Sequence, residues 1–456
     1  MPFDLDPRAL EDLDDILEYI SSFNRSAADR LLDEFFETFD SIGGMPNQGF
    51  RRPELTSKPL RFKVVGNHLV AYAPEQNPVW ILAIIWWPPQ PSRNRRRPAC
   101  ERMRGSIGMS PNFDQIRGPY LADLLAQPQA LRDTHAALSG AHAFAEIARN
   151  CTPERYSRVV LTGMGGSLFA LHPLAIELAA HGWTPVLLET SELVHTYPSL
   201  LAPSTLVVAV SQSGRSAETL RLLERNGGAT VIAVTNTADS PLAAQAHHVV
   251  LTAAGSEYSV SCKTYVSTLL ALSTLGAALR GLDPPARLGQ LVEVPDSVES
   301  YLGQWESHVE QFAELLRDVR DIFLVGRGAS LAAAYAGALI AKESAHFHAE
   351  GMSSAAFRHG PFEMLDAGVF VAVFAGDSHA EALNRGLVSD IEATPARAVL
   401  FGPDAQNAAC RLPAVSSAAV PIVEILPAQM ITLALAALAG REPGRFERAT
   451  KITAIE

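Results

Sequence analysis

VAVSQSGRSAETL, residues 208–220, joins an apolar strand pattern to a helical pattern through a turn of hydroxyl, amide and glycine residues. The strand pattern covers residues 206–210, and apolar residues recur at helical spacing directly after the turn. A helix N-terminus offers unpaired N–H groups and partial positive charge, serine adds donors, and glycine lets the backbone come close to a ligand. The segment therefore predicts an anion site, with phosphate as the natural ligand. The alternative is that Ser211, Ser213 and Ser216 only cap the helix.

The composition predicts a globular protein of two to four domains, since the chain has 456 residues, 48% of them hydrophobic and 19% charged. A net charge of −12 argues against nucleic-acid binding by the chain as a whole. The longest apolar runs, such as residues 431–439, are too short to cross a bilayer, so no membrane association is expected. The four cysteines follow no signal peptide and form no metal pattern, which favours a reducing cytoplasm and predicts neither a metal nor another cofactor. They are Cys100, Cys151, Cys262 and Cys410.

Strand and helix patterns alternate around the opening segment. The apolar run RVVL (158–161) leads through the glycine-rich turn TGMGGS (162–167) into a helix predicted over 168–180. Alternation of this kind predicts a doubly wound parallel sheet, with ligands beyond the carboxyl ends of its strands. The other strands are predicted at 184–188, 205–210, 230–234 and 249–251.

The same plan starts again after a proline-rich connector at 282–299. The strand pattern DIFLV (321–325) is followed by the turn GRGAS (326–330) and by a helix rich in alanine. The sequence thus contains an internal repeat of about 160 residues, with no second copy of the SQSG turn. We expect two α/β lobes, 110–285 and 296–456.

Four motifs, in this order, resemble those of the sugar isomerase (SIS) family: GMGGS, SQSGRSAET, KESAHFHAE (342–350) and RHGP (358–361). The most familiar member of this family is the isomerase half of glucosamine-6-phosphate synthase, and the two-lobed members show an internal repeat like this one. The segment EYSVSCK (257–263) resembles the family's sugar-lining segment, which implies that Val260 and Lys263 bind the sugar. Arg215 either contacts phosphate or faces solvent, and Cys262 is either an activated thiol or a packed small residue. The resemblance implies phosphate binding by Gly165, Gly166, Ser167, Ser211, Gln212, Ser213 and Ser216.

The resemblance also implies three catalytic residues. Glu343 would move a proton between C1 and C2, His359 would open the sugar ring, and Lys451 near the chain end would form a Schiff base with the open-chain ketose. In the family the histidine comes from a partner, which implies a homodimer. The alternative for Glu343 is a position on a solvated helix face. The alternative for His359 is a structural role before a Gly-Pro turn.

Three positions depart from the family's pattern. Ala336 and Ile340 stand where the family has a glutamate and a lysine, and Glu447 stands where it has an arginine. No amidotransferase segment with an N-terminal cysteine is recognisable, so glutamine hydrolysis by this chain is not expected. The predicted function is a sugar-phosphate isomerase or aminosugar-phosphate deaminase. The competing hypothesis is a sugar-phosphate sensor without turnover.

Residues 1–87 predict a separate small α+β domain, with two amphipathic helices before three short strands. This order, with the strand WILAIIW (80–86), resembles the ParE/RelE toxins of type II toxin-antitoxin systems. It implies an antitoxin partner and, as a third hypothesis, inhibition of translation or gyrase. Residues 88–109 are rich in proline and arginine and predict a linker, whose arginines form either an anion-binding patch or a solvated tether.

Overall fold

The computed structural model describes residues 3–21, 25–51, 56, 58–65, 68–86, 112–448 and 451. The chain divides into two compact units, Met1–Pro98 and Ala99–Glu456. The predicted linker at 88–109 lies outside the described residues.

The first unit is an α+β domain built on a four-stranded sheet. Strands β2, β3 and β4 pair antiparallel as predicted, but β1, which the sequence analysis missed, adds to β4 in parallel. Only three residues long, β1 is too short to show an alternating pattern. The helices bury Phe35 and Phe39 against the sheet. The elements are β1 (Phe3–Leu5), α1 (Pro7–Ser21), α2 (Arg25–Gly44), β2 (Arg61–Val65), β3 (His68–Ala73) and β4 (Val79–Trp86).

The second unit begins with the first predicted lobe, whose five strands all run parallel in the order β6-β5-β7-β8-β9. The strands are β5 (Arg158–Gly163), β6 (Pro185–Glu189), β7 (Thr205–Val210), β8 (Thr230–Thr235) and β9 (His248–Leu251). The helices are α3 (Phe113–Ile116), α4 (Pro119–Leu125), α5 (Gln127–Ser139), α6 (Ala143–Asn150), α7 (Gly166–Phe169), α8 (His172–Ala179), α9 (Thr190–His195), α10 (Ala217–Glu224), α11 (Pro241–Gln245) and α12 (Lys263–Leu279).

The second lobe repeats the plan with four parallel strands in the order β11-β10-β12-β13. The strands are β10 (Asp321–Gly326), β11 (Ala349–Ser353), β12 (Val369–Phe374) and β13 (Arg397–Phe401). The helices are α13 (Pro284–Gly289), α14 (Val294–Leu302), α15 (Trp305–Leu315), α16 (Leu331–Ala345), α17 (Ser354–Arg358), α18 (Glu381–Glu392), α19 (Val420–Val423) and α20 (Ile425–Ala439).

Prolines divide helical stretches that the sequence pattern ran together. The stretch 168–180 is two helices, because Pro173 lies in the first turn of α8. Pro119 and Pro128 likewise lie in the first turns of α4 and α5. Proline has no N–H to give, so the first turn of a new helix accommodates it where a helix interior would not.

Two buried glutamines tie the lobes together. The side chains of Gln127 on α5 and Gln429 on α20 exchange two hydrogen bonds, at 2.9 and 3.0 Å. Both residues are almost fully buried, so leaving either amide unpaired would be costly. This pair fixes the predicted entry helix of the first lobe against the core helix of the second.

The segment Val420–Ala439 is the one described helical segment that is long and apolar enough to cross a membrane. It is longer than the run at 431–439 considered above, because the helix continues through the short α19. Of the 18 consecutive residues in this segment that are apolar enough to span a membrane, 89% are buried inside the protein, as in the core helix of a soluble protein.

Candidate active site

A cavity of about 670 Å³ lies between the strand ends of the first lobe and helix α16 of the second. The turn after β5, the turn after β7 and the first residues of α10 form one wall, and α16 forms another. We call it the main cavity. Ten of the predicted site residues line it: Gly165, Gly166, Ser167, Ser211, Gln212, Ser213, Ser216, Val260, Glu343 and Lys451.

The serine turn after β7 holds its own shape by short-range hydrogen bonds. Ser211 Oγ accepts from the N–H of Gly214 at 3.1 Å, and Ser216 Oγ accepts from the N–H of Thr219 at 3.4 Å. Gly214 has φ +60°, and a Cβ there would lie 2.3 Å from Ser240 Oγ, so the turn requires glycine. Capping and cavity lining are therefore compatible roles for the same hydroxyls.

Three residues near this wall point elsewhere. Arg215 donates to the backbone oxygen of Asp239 at 2.7 Å and does not line the main cavity. Lys263, predicted to bind sugar, is also absent from the lining, because its ammonium group pairs with Asp123 Oδ1 at 2.8 Å. Cys262 is buried, and burial raises the pKa of its thiol well above the usual range. It is therefore a packed thiol rather than an activated one.

Glu343 lies near the end of α16 and faces the main cavity. Its neighbours Ile340 and Ala341 are buried, so the carboxylate is partly removed from water. Desolvation raises the pKa of Glu343 to about 7, against a smaller opposing effect of the Lys342 charge. A carboxylate with this pKa is half ionised near neutrality, as a group that both takes and gives a proton requires.

Lys451 lines the main cavity and is held there by Glu257. The ammonium group donates to the backbone oxygen of Glu257 and lies 3.5 Å from its Oε2. The same carboxylate accepts from the N–H groups of Cys262, at 2.8 Å, and Thr264, at 3.2 Å, at the start of α12. Sequence reasoning assigned no role to Glu257, which lies six positions before α12, because nothing local shows that its carboxylate folds back onto the helix start. Residues 449–450 and 452–456, on either side of Lys451, lie outside the described residues.

The histidines of the KESAHFHAE and RHGP motifs differ in whether they line the main cavity. His359 is exposed, follows α17 and does not line the main cavity of its own chain. His346 lines it, and His348 also lines it while pairing with Asp321 at 2.9 Å. Among the described residues, no group of three or more His, Cys, Asp or Glu is placed to hold a metal ion.

All three positions that depart from the family's pattern line the main cavity. Ala336 and Ile340 add apolar surface on α16, next to Leu339, and Glu447 adds a carboxylate. Sequence reasoning assigned no role to Glu218, whose Oε2 is buried without a partner among the described residues. Its position in the first turn of α10 became significant only once the cavity was known.

In the second lobe the turn 326–330 repeats the glycine-rich turn 162–167, and its serine contacts a buried glutamate. Ser330, at the end of the turn 326–330, donates to Glu424 Oε1 at 2.6 Å. Glu424 is 1% exposed, and its Oε2 has no partner within the described part of the chain. Burial raises its pKa to about 7, with a smaller contribution from the charge of Asp377.

Replacing Glu424 with glutamine is expected to stabilise the protein at pH 8 but not near pH 4.5. The folded state keeps a proton that the unfolded chain loses near pH 4.5, so stability falls as pH rises from 4.5 to about 7. Glu424→Gln removes this loss, keeps the acceptor for Ser330, and should add roughly 1–3 kcal/mol at pH 8. Urea unfolding of both proteins at pH 5 and pH 8 measures the difference. An equal effect at both pH values would contradict the assignment.

More than half of the chain, residues 154–278 and 315–439, matches the family model of the SIS domain in two copies. The chain belongs to the SIS domain family. Its two copies correspond to the two parallel-sheet lobes, and the main cavity lies between one copy's strand ends and the other copy's helix α16.

Two similar relatives of this SIS protein are named glutamine–fructose-6-phosphate aminotransferase [isomerizing]. The Pyrococcus horikoshii protein is 30% identical over 352 residues, covering 74% of this chain and 57% of the relative. The Thermococcus kodakarensis protein is 31% identical over 359 residues, covering 74% and 58%. The SIS chain thus spans somewhat more than half the length of these relatives.

Solved structures share the fold of the second unit, called the SIS unit here because it contains both SIS copies. The C-terminal domain of glucosamine-fructose-6-phosphate aminotransferase from Francisella tularensis gives a TM-score of 0.64 at 21% identity, covering 73% of this chain and 99% of that one. Glucosamine-6-phosphate deaminase from Thermotoga maritima gives a TM-score of 0.59 at 16% identity, covering 73% of this chain and 99% of that one. Residues 3–85, before the SIS unit, match the model of the ParE toxin of type II toxin-antitoxin system, parDE.

Proposed function

We propose that this protein is a sugar-phosphate isomerase or aminosugar-phosphate deaminase that acts on substrates of the glucosamine 6-phosphate and fructose 6-phosphate type. The observation that carries the proposal is the placement of the serine turn and Glu343 on two walls of one cavity. The names of its relatives, which include aminotransferases and a deaminase acting on such sugars, support this substrate class.

In this proposal the phosphate binds the turns after β5 and β7. The hydroxyls of Ser167, Ser211 and Ser213, with backbone N–H groups, are hydrogen-bond donors suited to phosphate. The remainder of the sugar then extends toward α16. A ligand fixed at one end presents its reacting carbons to a carboxylate at the other, which removes the entropic cost of orienting them.

Glu343 is the proton carrier of the proposed reaction. Its carboxylate takes a proton from C2 of an open-chain aldose or 2-amino aldose and returns it to C1. For an amino sugar the resulting C2 imine reacts with one water, which yields a ketose phosphate and ammonia. In this proposal Lys451, released from Glu257, forms a Schiff base with the carbonyl of an open-chain ketose, with loss of one water. We propose that His359 opens the ring in the cavity of a second copy, since it is exposed and does not line the main cavity of its own chain.

The test is an assay of the purified full chain with glucosamine 6-phosphate. Ammonia and fructose 6-phosphate should form in equal amounts, or fructose 6-phosphate and glucose 6-phosphate should interconvert. Calorimetric binding of these sugar phosphates without turnover would instead support the sensor hypothesis. Absence of both binding and turnover would reject a sugar-phosphate function.

For the first unit we propose an antitoxin partner, because residues 3–85 match the ParE toxin model. Growth arrest on expression of residues 1–108 alone, relieved by a coexpressed antitoxin, would support a toxin activity.

We also propose a cytoplasmic location, since the cysteines at 151, 262 and 410 are free and buried.

A further inference from the structure

Glu218 is a carboxylate of the main cavity that no donor of the described residues reaches. It lies in the first turn of α10, shortly after Ser216, and lines the main cavity. The residue is 6% exposed, and its Oε2 is buried without a partner. Within the described part of the chain, no hydrogen bond or ion pair is made by its other oxygen either. A buried carboxylate without donors is costly, so a ligand that brings a donor would be bound favourably there.

The start of α10 does not account for this carboxylate. An acidic residue in a first turn can accept from the unpaired N–H groups of the helix. In α10 the N-cap is Ser216, whose Oγ accepts from the N–H of Thr219. The N–H groups of Gly214 and Arg215 are bonded to the hydroxyls of serines in the turn. The serines therefore cap the turn and the helix, and Glu218 is not needed for that role.

The other glutamate that the first lobe contributes to the main cavity is fully paired. Glu257 accepts from the N–H groups of Cys262 and Thr264, and from the Thr264 hydroxyl at 2.8 Å. It also lies 3.5 Å from the ammonium group of Lys451. Two glutamates of one cavity thus differ sharply, since Glu257 is held by the protein and Glu218 is left for a ligand.

The position of Glu218 restricts the kind of group that can bind it. Ser211, Ser213 and Ser216, the proposed phosphate ligands, precede it directly in the chain. A phosphate placed against the carboxylate itself would be repelled by the like charge. The neutral donors nearest the phosphate of a sugar phosphate are the hydroxyls of its carbon chain. A hydroxyl forms a short, charge-assisted hydrogen bond with a carboxylate, so Glu218 suits a hydroxyl close to the phosphate.

The α16 wall of the main cavity offers such a hydroxyl no partner. Ala336, Leu339 and Ile340 line the cavity there with apolar side chains. This surface reaches the turn after β5, because Leu339 Cδ2 would lie only 3.3 Å from a Cβ at Gly165. A hydroxyl directed at α16 would lose its hydrogen bonds to water without replacement. The two walls therefore distinguish the two faces of a sugar chain.

We propose, building on the function proposed above, that Glu218 selects the substrate by the configuration of the carbons next to its phosphate. The carboxylate accepts a hydrogen bond from the C4 or C5 hydroxyl of a hexose 6-phosphate. The epimer directs this hydroxyl at the apolar face of α16 and is rejected. The contact transfers no proton, so Glu218 determines specificity while Glu343 carries the chemistry.

The test is calorimetric titration of the full chain with sorbitol 6-phosphate and with its 4-deoxy and 5-deoxy analogues. Sorbitol 6-phosphate has no carbonyl, so it neither closes a ring nor reacts. One of the two analogues should bind at least about tenfold more weakly than the parent, since a hydrogen bond to a charged group contributes about 1.5–3 kcal/mol. The other analogue should bind nearly as well as the parent.

Three variants assign this difference to the carboxylate. In Glu218→Met, which keeps the length of the side chain without a strong acceptor, the ratio of affinities should fall to about one. In Glu218→Gln, whose amide oxygen still accepts, the ratio should be intermediate. Glu306→Met makes the matched change at an exposed glutamate in the first turn of α15 and should keep the wild-type ratio. A purely structural role of Glu218 would weaken all three ligands equally and leave the ratio unchanged.

Equal affinities of the parent and both analogues for the wild-type protein would overturn the inference, as would an unchanged ratio in Glu218→Met. A ratio that disappears in EDTA would also overturn it, because the carboxylate would then act through a divalent cation. If glucosamine 6-phosphate is still converted in these cases, the proposed function stands. If no sugar phosphate binds or reacts, the proposed function fails, and the inference fails with it. Melting temperatures check that each variant is folded.

Discussion

Replacing Glu343 with glutamine should lower kcat by about 10²–10⁴-fold, because the amide cannot take up the proton that moves between C1 and C2. Glutamine keeps the size of the side chain and removes only its basicity. Binding of the sugar phosphate should remain within a few-fold of wild type, since the proposed phosphate contacts lie on the first lobe. Steady-state kinetics and calorimetric titration with glucosamine 6-phosphate separate the two effects.

The pH dependence and a matched variant complete this prediction. Because the pKa of Glu343 is raised to about 7, the basic form accumulates above that value, and kcat/KM should rise with pH through about 7. Glu392→Gln makes the same chemical change at the exposed end of α18 and should behave as wild type. A Glu343→Gln protein with unchanged kcat would remove Glu343 from the reaction.

Replacing Ser211 and Ser213 together with alanine should weaken sugar-phosphate binding by about 100-fold or more. Each hydroxyl bonded to a charged phosphate contributes about 1.5–3 kcal/mol, and two such losses multiply. Titration with fructose 6-phosphate measures the change. In kinetics the variant should show a raised KM with a smaller change in kcat, because the contact is the same in the ground state and the transition state.

Two controls distinguish lost ligand contacts from a collapsed turn. Ser211 and Ser213 also accept hydrogen bonds from the N–H groups of Gly214 and Arg215, so the melting temperature of the variant must be compared with wild type. Ser389→Ala removes the hydroxyl of an exposed serine on α18 that is distant in sequence from the turn. This control should leave binding unchanged. Unchanged binding in the double variant would place the phosphate elsewhere.

The serine turn after β7 was predictable because its evidence is local. A strand, a turn of serines and glycine, and a helix are consecutive in sequence, and the structure has them as β7, the turn and α10. The repeat of the plan in the second lobe followed for the same reason. Glu343 was accessible through the motif around it, since an acidic residue in an apolar helix is conspicuous.

Residues whose role depends on distant partners were not predictable. Lys263 was assigned to the sugar, but its ammonium group reaches Asp123, which lies on a helix 140 positions earlier. Glu257 and Lys451 meet across an even longer separation. The cavity lined by His346, Arg441 and Glu447 likewise combines the residue that ends α16 with residues after α20, and no periodicity in the sequence reports such a meeting.

The most direct measurement is solvent exchange during incubation of fructose 6-phosphate with the full chain in D₂O. If the turns seat the phosphate and Glu343 moves the proton, the recovered sugar phosphate should carry deuterium at C1 or C2, detected by NMR, and incorporation should vanish in Glu343→Gln. Incorporation at the same rate in that variant, or bound fructose 6-phosphate that never gains deuterium in wild type, would contradict the account.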